Sequence, residues 1–185
     1  MKEKIKFLKI RDVISPSRTN EYDAGIDFYV PIFDEKFIED YSLKNLNGMS
    51  GIYSHSNGKS VFTRIIINPG ERALIPSGIK CQMAKPGRAL IASNKSGVAS
   101  KTGLIFGAQV IDYEYQGEIH INVINTSNEV VEVLENQKLI QFLETPIFNS
   151  EIEISEDQEN FYKKETTRGA KGFGESDKKQ EQLNS

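Results

Sequence analysis

The stretch TRIIINPGERALIPSGIKCQMAKPGRALIAS, residues 63–93, decides the fold class. Short apolar runs alternate in it with the turn signals Asn-Pro-Gly and Pro-Gly, at the roughly 8–12-residue spacing of strands in a sandwich or barrel. The pattern predicts strands over 63–67, 71–75, 78–83 and 88–93.

Similar runs occur on both sides of this stretch. They predict further strands over 5–10, 28–32, 118–125, 129–134, 138–143 and 147–154. In residues 118–125, Ile119, Ile121 and Val123 fall on one face of the strand. No segment sustains a helical stripe, and only residues 98–102 have room for a short helix. The sequence therefore predicts an all-β sandwich or barrel.

Composition and charge are those of an ordinary globular domain. A chain of 185 residues with 38% hydrophobic content can bury a sizeable core, and a net charge of -3 gives no general attraction to nucleic acid or anionic membrane. The single cysteine, Cys81, excludes an intramolecular disulfide and a cysteine-cluster zinc site, and we expect a buried, inert thiol. Without a long apolar run or a signal peptide, we expect a soluble, reducing, cytoplasmic location.

Three parts are predicted within the chain. Residues 1–155 form the β core, and residues 156–185 form a polar C-terminal arm that is expected to be mobile. Residues 33–62 lack a sustained period and are interpreted as a surface insertion containing a hairpin, with either a partner-binding or a purely structural role. His55 within it is expected to be solvated.

Two motifs carry the chemistry. The first, Ser93–Ala99, contains Lys95, Ser96 and Gly97, which offer a cation, a hydroxyl and an unobstructed backbone to phosphate oxygens. The second, Val110–Glu118, ends an apolar run in a glycine turn, where a scaffold can display reactive side chains such as Asp112 and Tyr115. An ordinary turn and an ordinary strand end are the alternatives for each motif taken alone.

Together with three further segments, these motifs resemble trimeric-type dUTP diphosphatases (dUTPases). The five family motifs are matched in order, from about residue 20 to residue 176, by Asp23–Phe28, Asn94–Ala99, Val110–Glu118, Asn136–Phe142 and Arg168–Gly174. The resemblance implies a jelly-roll fold with a mobile C-terminal arm, a homotrimer with shared active sites, and Mg²⁺ as cofactor. It also implies hydrolysis of dUTP to dUMP and pyrophosphate, which keeps uracil out of DNA and supplies dUMP for thymidylate synthesis.

The resemblance assigns roles to two aspartates. Asp112 would activate a water for in-line attack on the α-phosphorus, and a carboxylate beside that water suffices as the base. Asp27 would help to hold the metal–triphosphate complex through water, with a turn-capping aspartate as the alternative. Mg²⁺ would be held mostly by triphosphate oxygens, because it dehydrates reluctantly.

Further side chains would select and hold the nucleotide. Tyr115 would pack on the sugar and leave no room for a 2′-hydroxyl, although ordinary core packing is the alternative. Backbone groups of the hairpin 104–110, including Val110 with the neighbouring Ile111, would read uracil. Gln141 would approach the phosphates, unless it is simply an outward strand residue.

The tail would supply a lid. Arg168 would engage the terminal phosphate, and Phe173 would stack on the base because the flanking glycines leave its backbone free. Gly174 and Ser176 complete the predicted contacts with substrate. A glycine-rich disordered tail is the alternative.

Five positions depart from the family pattern, of which Glu114 and Gln116 are mild substitutions. Lys95 stands where arginine is usual, Gln109 where a small glycine is expected, and Glu175 where a small hydroxyl residue is expected. Two other functions also remain open: a catalytically weak nucleotide-sensing or partner-binding protein, and a dCTP deaminase on the same scaffold.

Overall fold

The computed structural model describes residues 3–45, 50–56 and 59–170, with the backbone only for 50–56 and 59–61. The chain divides into two compact units, Met1–Asn149 and Ser150–Ser185. In order, the elements are β1 (Lys6–Lys9), β2 (Gly25–Tyr29), α1 (Glu35–Lys44), β3 (Ser50–Ser56), β4 (Lys59–Ile67), β5 (Arg72–Pro76), β6 (Ile79–Gln82), β7 (Arg88–Asn94), α2 (Ser96–Thr102), β8 (Leu104–Phe106), β9 (Val110–Ile111), β10 (His120–Asn125), β11 (Val131–Val133) and β12 (Lys138–Pro146).

Within the described ranges, the strands form four antiparallel sheets, which confirms the all-β prediction. Their orders are β1-β6, β5-β10-β8, β11-β4-β3 and β2-β12-β7-β9. The four-stranded sheet positions most of the predicted site, because it contains the strands of the first, second and fourth motifs and the start of the third.

Alternation along the strands builds the core, since successive side chains in a strand point to opposite faces. Ile121 and Val123 of β10 are 0% and 2% exposed, and Ile119 just before the strand is 0% exposed, so the predicted inner face is confirmed. Phe28 of β2 and Phe142 of β12 pack with ring centroids 4.7 Å apart. Cys81 is half-buried against this core, and burial raises the pKa of its thiol to about 11, which fits an inert thiol.

Helix α1 contradicts the prediction that only residues 98–102 hold a helix. Its N-cap is Asp34, whose side chain accepts a hydrogen bond of 2.7 Å from the backbone of Phe37. Phe37 and Tyr41, one helical turn apart, are 0% and 1% exposed. Phe37 packs with Phe33 and with Tyr41. With only Phe37 and Tyr41 buried, the apolar face of α1 is too narrow to give a clear helical period in the sequence. The helix is stabilised instead by burial of this face against the rest of the fold.

The remainder of residues 33–62 includes the expected hairpin. Strand β3 pairs over its whole length with residues 59–66 of β4, with a register shift between Ile52 and Tyr53, which confirms it. The interpretation of 33–62 as an insertion stays a prediction, and the side chain of His55 lies outside the described residues.

The strand predicted over 147–154 is wrong. Strand β12 runs on to Pro146, and none of residues 147–154 pairs with another strand. Phe148 in the first unit is 93% exposed, and Ile152 and Ile154 in the second are 85% and 84% exposed, so these apolar residues are not buried in the described structure. Among the described residues, no helix is long and apolar enough to cross a bilayer.

Candidate active site

Residues from three of the motifs line one pocket. Gln141 of β12 lies directly opposite Asp27 of β2 and Ser93 of β7, so the three side chains share one face of the sheet. Lys95 follows β7 at the same edge. The pocket has a volume of about 270 Å³, and its remaining walls come from Thr19, Asp23, Ala24, Gly25 and Leu143.

Asp27 is a buried carboxylate between two ammonium groups. Its Oδ1 lies 2.5 Å from Nζ of Lys95, and its Oδ2 lies 2.9 Å from Nζ of Lys138. Burial would raise the pKa of Asp27, but the hydrogen bonds from the two lysines outweigh it and lower that pKa. The turn-cap interpretation of Asp27 is wrong, because the residue lies inside β2.

Both lysines remain accessible to an anion. The side chains of Lys95 and Lys138 are 25% and 38% exposed, while that of Asp27 is 5% exposed. The buried carboxylate therefore holds one cation, Lys95, in the pocket wall and a second, Lys138, which is not a wall residue. Lys138 was not predicted as a site residue, although it lies within the fourth motif.

Gln141 contacts Asn94, the last residue of β7, which directly precedes Lys95 and Ser96. Its Nε2 donates to the carbonyl of Asn94 at 2.9 Å, and Oδ1 of Asn94 accepts from the backbone of Phe106 at 2.9 Å. A Cβ on Gly25 would lie 2.0 Å from Oε1 of Gln141, so only glycine permits this close approach. Sequence reasoning missed the roles of Gly25 and Asn94, both of which lie in recognised motifs.

Ser96 and Gly97 begin helix α2 and are exposed. Apart from its chain neighbours and its own helix backbone, no atom of the described residues lies within 4 Å of the position that a Cβ on Gly97 would occupy, so a ligand could approach the backbone there. The short helix itself confirms the prediction for residues 98–102 and begins two residues earlier.

Asp112 and Tyr115 lie on an exposed turn after β9. The backbone N–H of Tyr115 donates to the carbonyl of Asp112 at 3.1 Å, and the phenol donates to the carbonyl of Glu118 at 2.9 Å. The Tyr115 side chain is 42% exposed, which excludes packing in the core of this chain. A Cβ on Gly117 would lie 2.4 Å from the phenol oxygen, so the ring needs a glycine beneath it.

A second pocket, of about 780 Å³, adjoins this turn. It is lined by Pro86, Gly87, Arg88, Ala89, Asp112, Tyr113, Glu114, Tyr115, Ile147 and Asn149. It has no wall residue in common with the first pocket.

The predicted uracil-reading segment 104–110 is not a hairpin, because its two strands pair in different sheets, β8 with β10 and β9 with β7. The pairing of β9 forms despite Gln109. Val110 and Ile111 pair with Ile91 and Leu90 of β7, and the carbonyl of Gln109 accepts from the backbone of Ala92 at 2.7 Å. Val110 is 55% exposed. A glycine at position 109 is therefore not needed for this pairing.

The two pockets lie at opposite ends of β7. Because Leu90 faces Ile111, Asp112 comes beside Ala89, whereas Lys95 lies six residues further along the chain. At a rise of about 3.3 Å per residue, the two positions are separated by roughly 20 Å. One chain thus brings Asp27, Lys95 and Gln141 together but does not bring them to Asp112 and Tyr115.

The predicted tail residues fall partly within the described structure. Arg168 is exposed in the turn Thr166–Gly169, where the backbone of Gly169 donates to the carbonyl of Thr166 at 3.0 Å. Phe173, Gly174 and Ser176, with the departing Glu175, lie outside the described residues.

Comparison with known proteins finds one family along most of this chain. A family model described as dUTPase matches residues 60–177. The deoxyuridine 5′-triphosphate nucleotidohydrolase of Bdellovibrio bacteriovorus is 35% identical over 112 residues, which are 60% of this chain and 71% of that protein. The enzyme of the same name from Haemophilus influenzae strain PittEE is 34% identical over 114 residues, which are 60% of this chain and 72% of that protein.

Solved structures show the same fold. A mutant dUTPase of Staphylococcus bacteriophage 80alpha with dUpNHpp has a TM-score of 0.67 at 19% identity and covers 94% of this chain and 98% of its own. The native EIAV dUTPase has a TM-score of 0.56 at 20% identity and covers 84% of this chain and 99% of its own. The jelly-roll expectation is consistent with both.

Proposed function

The chain belongs to the dUTPase family, and from that premise we propose that it hydrolyses dUTP to dUMP and pyrophosphate. The proposal gains support from where the motif residues lie. Residues of the first, second and fourth motifs line a pocket whose wall includes the accessible Lys95, and Lys138 pairs with the Asp27 of that wall. Residues of the third motif stand on an exposed turn beside a larger pocket.

Asp112 is proposed as the general base. Its exposed carboxylate at the end of β9 can accept a proton from a water aligned on the α-phosphorus, and the leaving pyrophosphate departs on the opposite side. Tyr115, fixed through its phenol, would pack on the deoxyribose and exclude a 2′-hydroxyl. Backbone groups beside Val110 and Ile111 would read uracil.

The lysines are proposed to bind phosphate. Lys95 and Lys138 supply positive charge, while Ser96 and the backbone at Gly97 add hydrogen-bond donors. Gln141 would act mainly by fixing the Asn94 carbonyl, and so the start of this loop. From the C-terminal arm, Arg168 and Phe173, with Gly174 and Ser176, are proposed to close over the nucleotide.

Mg²⁺ is the proposed cofactor, and its chemistry is to neutralise charge on the phosphate oxygens. The residues present fit an ion carried by the triphosphate. Asp27 is already paired with two lysines, so its contact with the ion would pass through water, and no three metal-ligating side chains cluster within the part of the chain that the structure describes.

We propose a homotrimer with shared sites, and the separation of the two pockets supports sites that are shared between chains. The base must lie within hydrogen-bond reach of a water at the α-phosphorus, and the phosphate-binding cations must contact oxygens only a few ångströms away. Because roughly 20 Å separates these groups in one chain, we propose that neighbouring chains supply the two halves of each site. A soluble, reducing, cytoplasmic location, without nucleic-acid or membrane partners, belongs to the same proposal.

The test is pyrophosphate release from dUTP, dCTP, dTTP and UTP in the presence of Mg²⁺. We expect turnover of dUTP alone, and we expect Asp112→Asn to lose at least about 10²-fold in rate while it still binds nucleotide. Tight binding of dUTP without product would contradict hydrolysis and favour a nucleotide-sensing protein. Ammonia released from dCTP would identify a deaminase instead.

A further inference from the structure

The turn that carries the proposed base is itself exposed. Residues 112–116 are all exposed, and the turn follows a strand of two residues, β9. A general base acts efficiently only when its carboxylate is held in place, and a displacement of about 1 Å can cost 10²-fold in rate. Something beyond the turn must therefore fix its geometry.

Glu118 is the anchor at the far end of this turn. Its Oε1 accepts from the backbone of Gly78 at 2.7 Å and from Nε of Arg11 at 2.8 Å, and its Oε2 accepts from Nη2 of Arg11 at 3.0 Å. Its backbone carbonyl accepts the phenol of Tyr115. The side chain thus fixes the residue whose main chain holds the tyrosine.

Arg11 connects this anchor to helix α1. Its side chain is 3% exposed, and its Nη2 also pairs with Oδ2 of Asp40, which is 34% exposed. Three segments far apart in sequence therefore meet at one guanidinium: residue 11 precedes β2, residue 40 lies in α1, and residue 118 follows the turn. A planar guanidinium that donates two parallel hydrogen bonds fixes the direction of its carboxylate as well as its distance.

The charges at this junction keep all three groups ionised. Burial would raise the pKa of Glu118, but the hydrogen bonds from Arg11 and Gly78 lower it. The hydrogen bond from Arg11 likewise lowers the pKa of Asp40, and Lys36 and Lys44 of the same helix add to that effect. The Arg11 guanidinium is therefore paired with two ionised carboxylates, those of Glu118 and Asp40.

We propose that Asp40, Arg11 and Glu118 are positioning residues, through which helix α1 fixes the turn that carries Asp112 and Tyr115. This inference rests on the proposed function. It gives part of the segment 33–62 a role in the reaction, although none of the three side chains is placed against the substrate. An alternative is that the junction stabilises the fold and nothing more.

The two possibilities differ in what Glu118→Gln should do. The amide can still accept from Gly78, but it loses the charge that holds the guanidinium in its paired orientation. Positioning predicts a fall in kcat of between about 10- and 100-fold, with a smaller rise in KM, in protein that remains folded. A purely structural role predicts a lower Tm and an unchanged kcat well below that Tm.

Asp40→Asn tests the connection to the helix from its accessible end. It removes the contact with α1 and leaves the Arg11–Glu118 pair in place, so we expect a smaller loss of kcat, about three- to tenfold. Glu39→Gln is the matched control, because it makes the same kind of change at the neighbouring, exposed position of α1. Its kcat should equal that of the parent protein.

The experiment measures kcat and KM for dUTP in these four full-length proteins, at a temperature where circular dichroism shows all of them folded. Amide hydrogen exchange of residues 112–117 is measured in parallel. Lower kcat and faster exchange in Glu118→Gln and Asp40→Asn, but not in Glu39→Gln, are the expected result. Kinetics within twofold of the parent in both variants would overturn the inference.

Failure of the proposed function would be visible separately, as a parent protein that does not turn over dUTP. The exchange measurement then decides the inference by itself. Faster exchange at 112–117 in the two junction variants would support positioning of the turn, and exchange equal to that of Glu39→Gln would overturn it.

Discussion

The separation of the two half-sites makes a quantitative prediction about mixed oligomers. Asp112→Asn removes the proposed base from one pocket, and Lys95→Ala removes a phosphate-binding cation from the other. The first variant should lose at least about 10²-fold in rate, and the second about 10²-fold. Lys95→Ala should still fold, because Asp27 keeps its pair with Lys138 at 2.9 Å.

Mixing these two inactive proteins should restore activity. If each site takes its Asp112 half from one chain and its Lys95 half from a neighbour, random assembly at a 1:1 ratio makes about a quarter of the sites intact. The assay is co-refolding or co-expression of differently tagged chains, followed by pyrophosphate release from dUTP and a mass measurement in solution. Each variant refolded alone is the control.

The refuting result is equally specific. If one chain supplied both halves, every site in the mixture would carry one defect, and activity would stay at the level of the controls. Such a result would mean that the roughly 20 Å between the two pockets is not bridged by a neighbouring chain, and the shared-site proposal would be wrong.

Three further predictions concern the core, pH and the arm. Phe37→Ala should lower the free energy of unfolding, measured by denaturant titration, by about 3–5 kcal/mol. The control Leu43→Ala, at a 64% exposed position of the same helix, should change it by about 0.5 kcal/mol or less. Equal effects of the two substitutions would contradict burial of α1. The folded-state pKa values of Asp27 and Glu118 are lowered below their ordinary 3.8 and 4.5. The stability that these two carboxylates contribute is therefore present above about pH 4.5 and is lost as the pH falls through the lowered values. Unfolding curves measured from pH 7 to 3 should show a smaller loss of stability in Glu118→Gln than in the parent protein. Truncation after Glu165 should leave Tm unchanged and reduce kcat/KM for dUTP by at least tenfold, and a fully active truncated protein would contradict the proposed lid.

Local signals in the sequence were sufficient for most of the fold. Turn chemistry such as Asn68-Pro69-Gly70, together with the alternation of Ile119, Ile121 and Val123, depends on a few neighbouring residues and so predicts strands wherever it occurs. The same local character identified the five motifs. It failed for residues 147–154, because a strand also requires a partner backbone, which no local pattern guarantees.

The sequence by itself determined the all-β class, the family resemblance and the candidate residues, because each is written in short segments. Only the tertiary structure showed that Phe37 and Tyr41 are buried, that Arg11 pairs with Asp40 and with Glu118, which lies 107 residues further along the chain, and that Asp112 stands at the opposite end of β7 from Lys95. Such contacts depend on the register of paired strands and on which surfaces become buried together. Both are settled by packing of the whole chain, not by neighbouring residues.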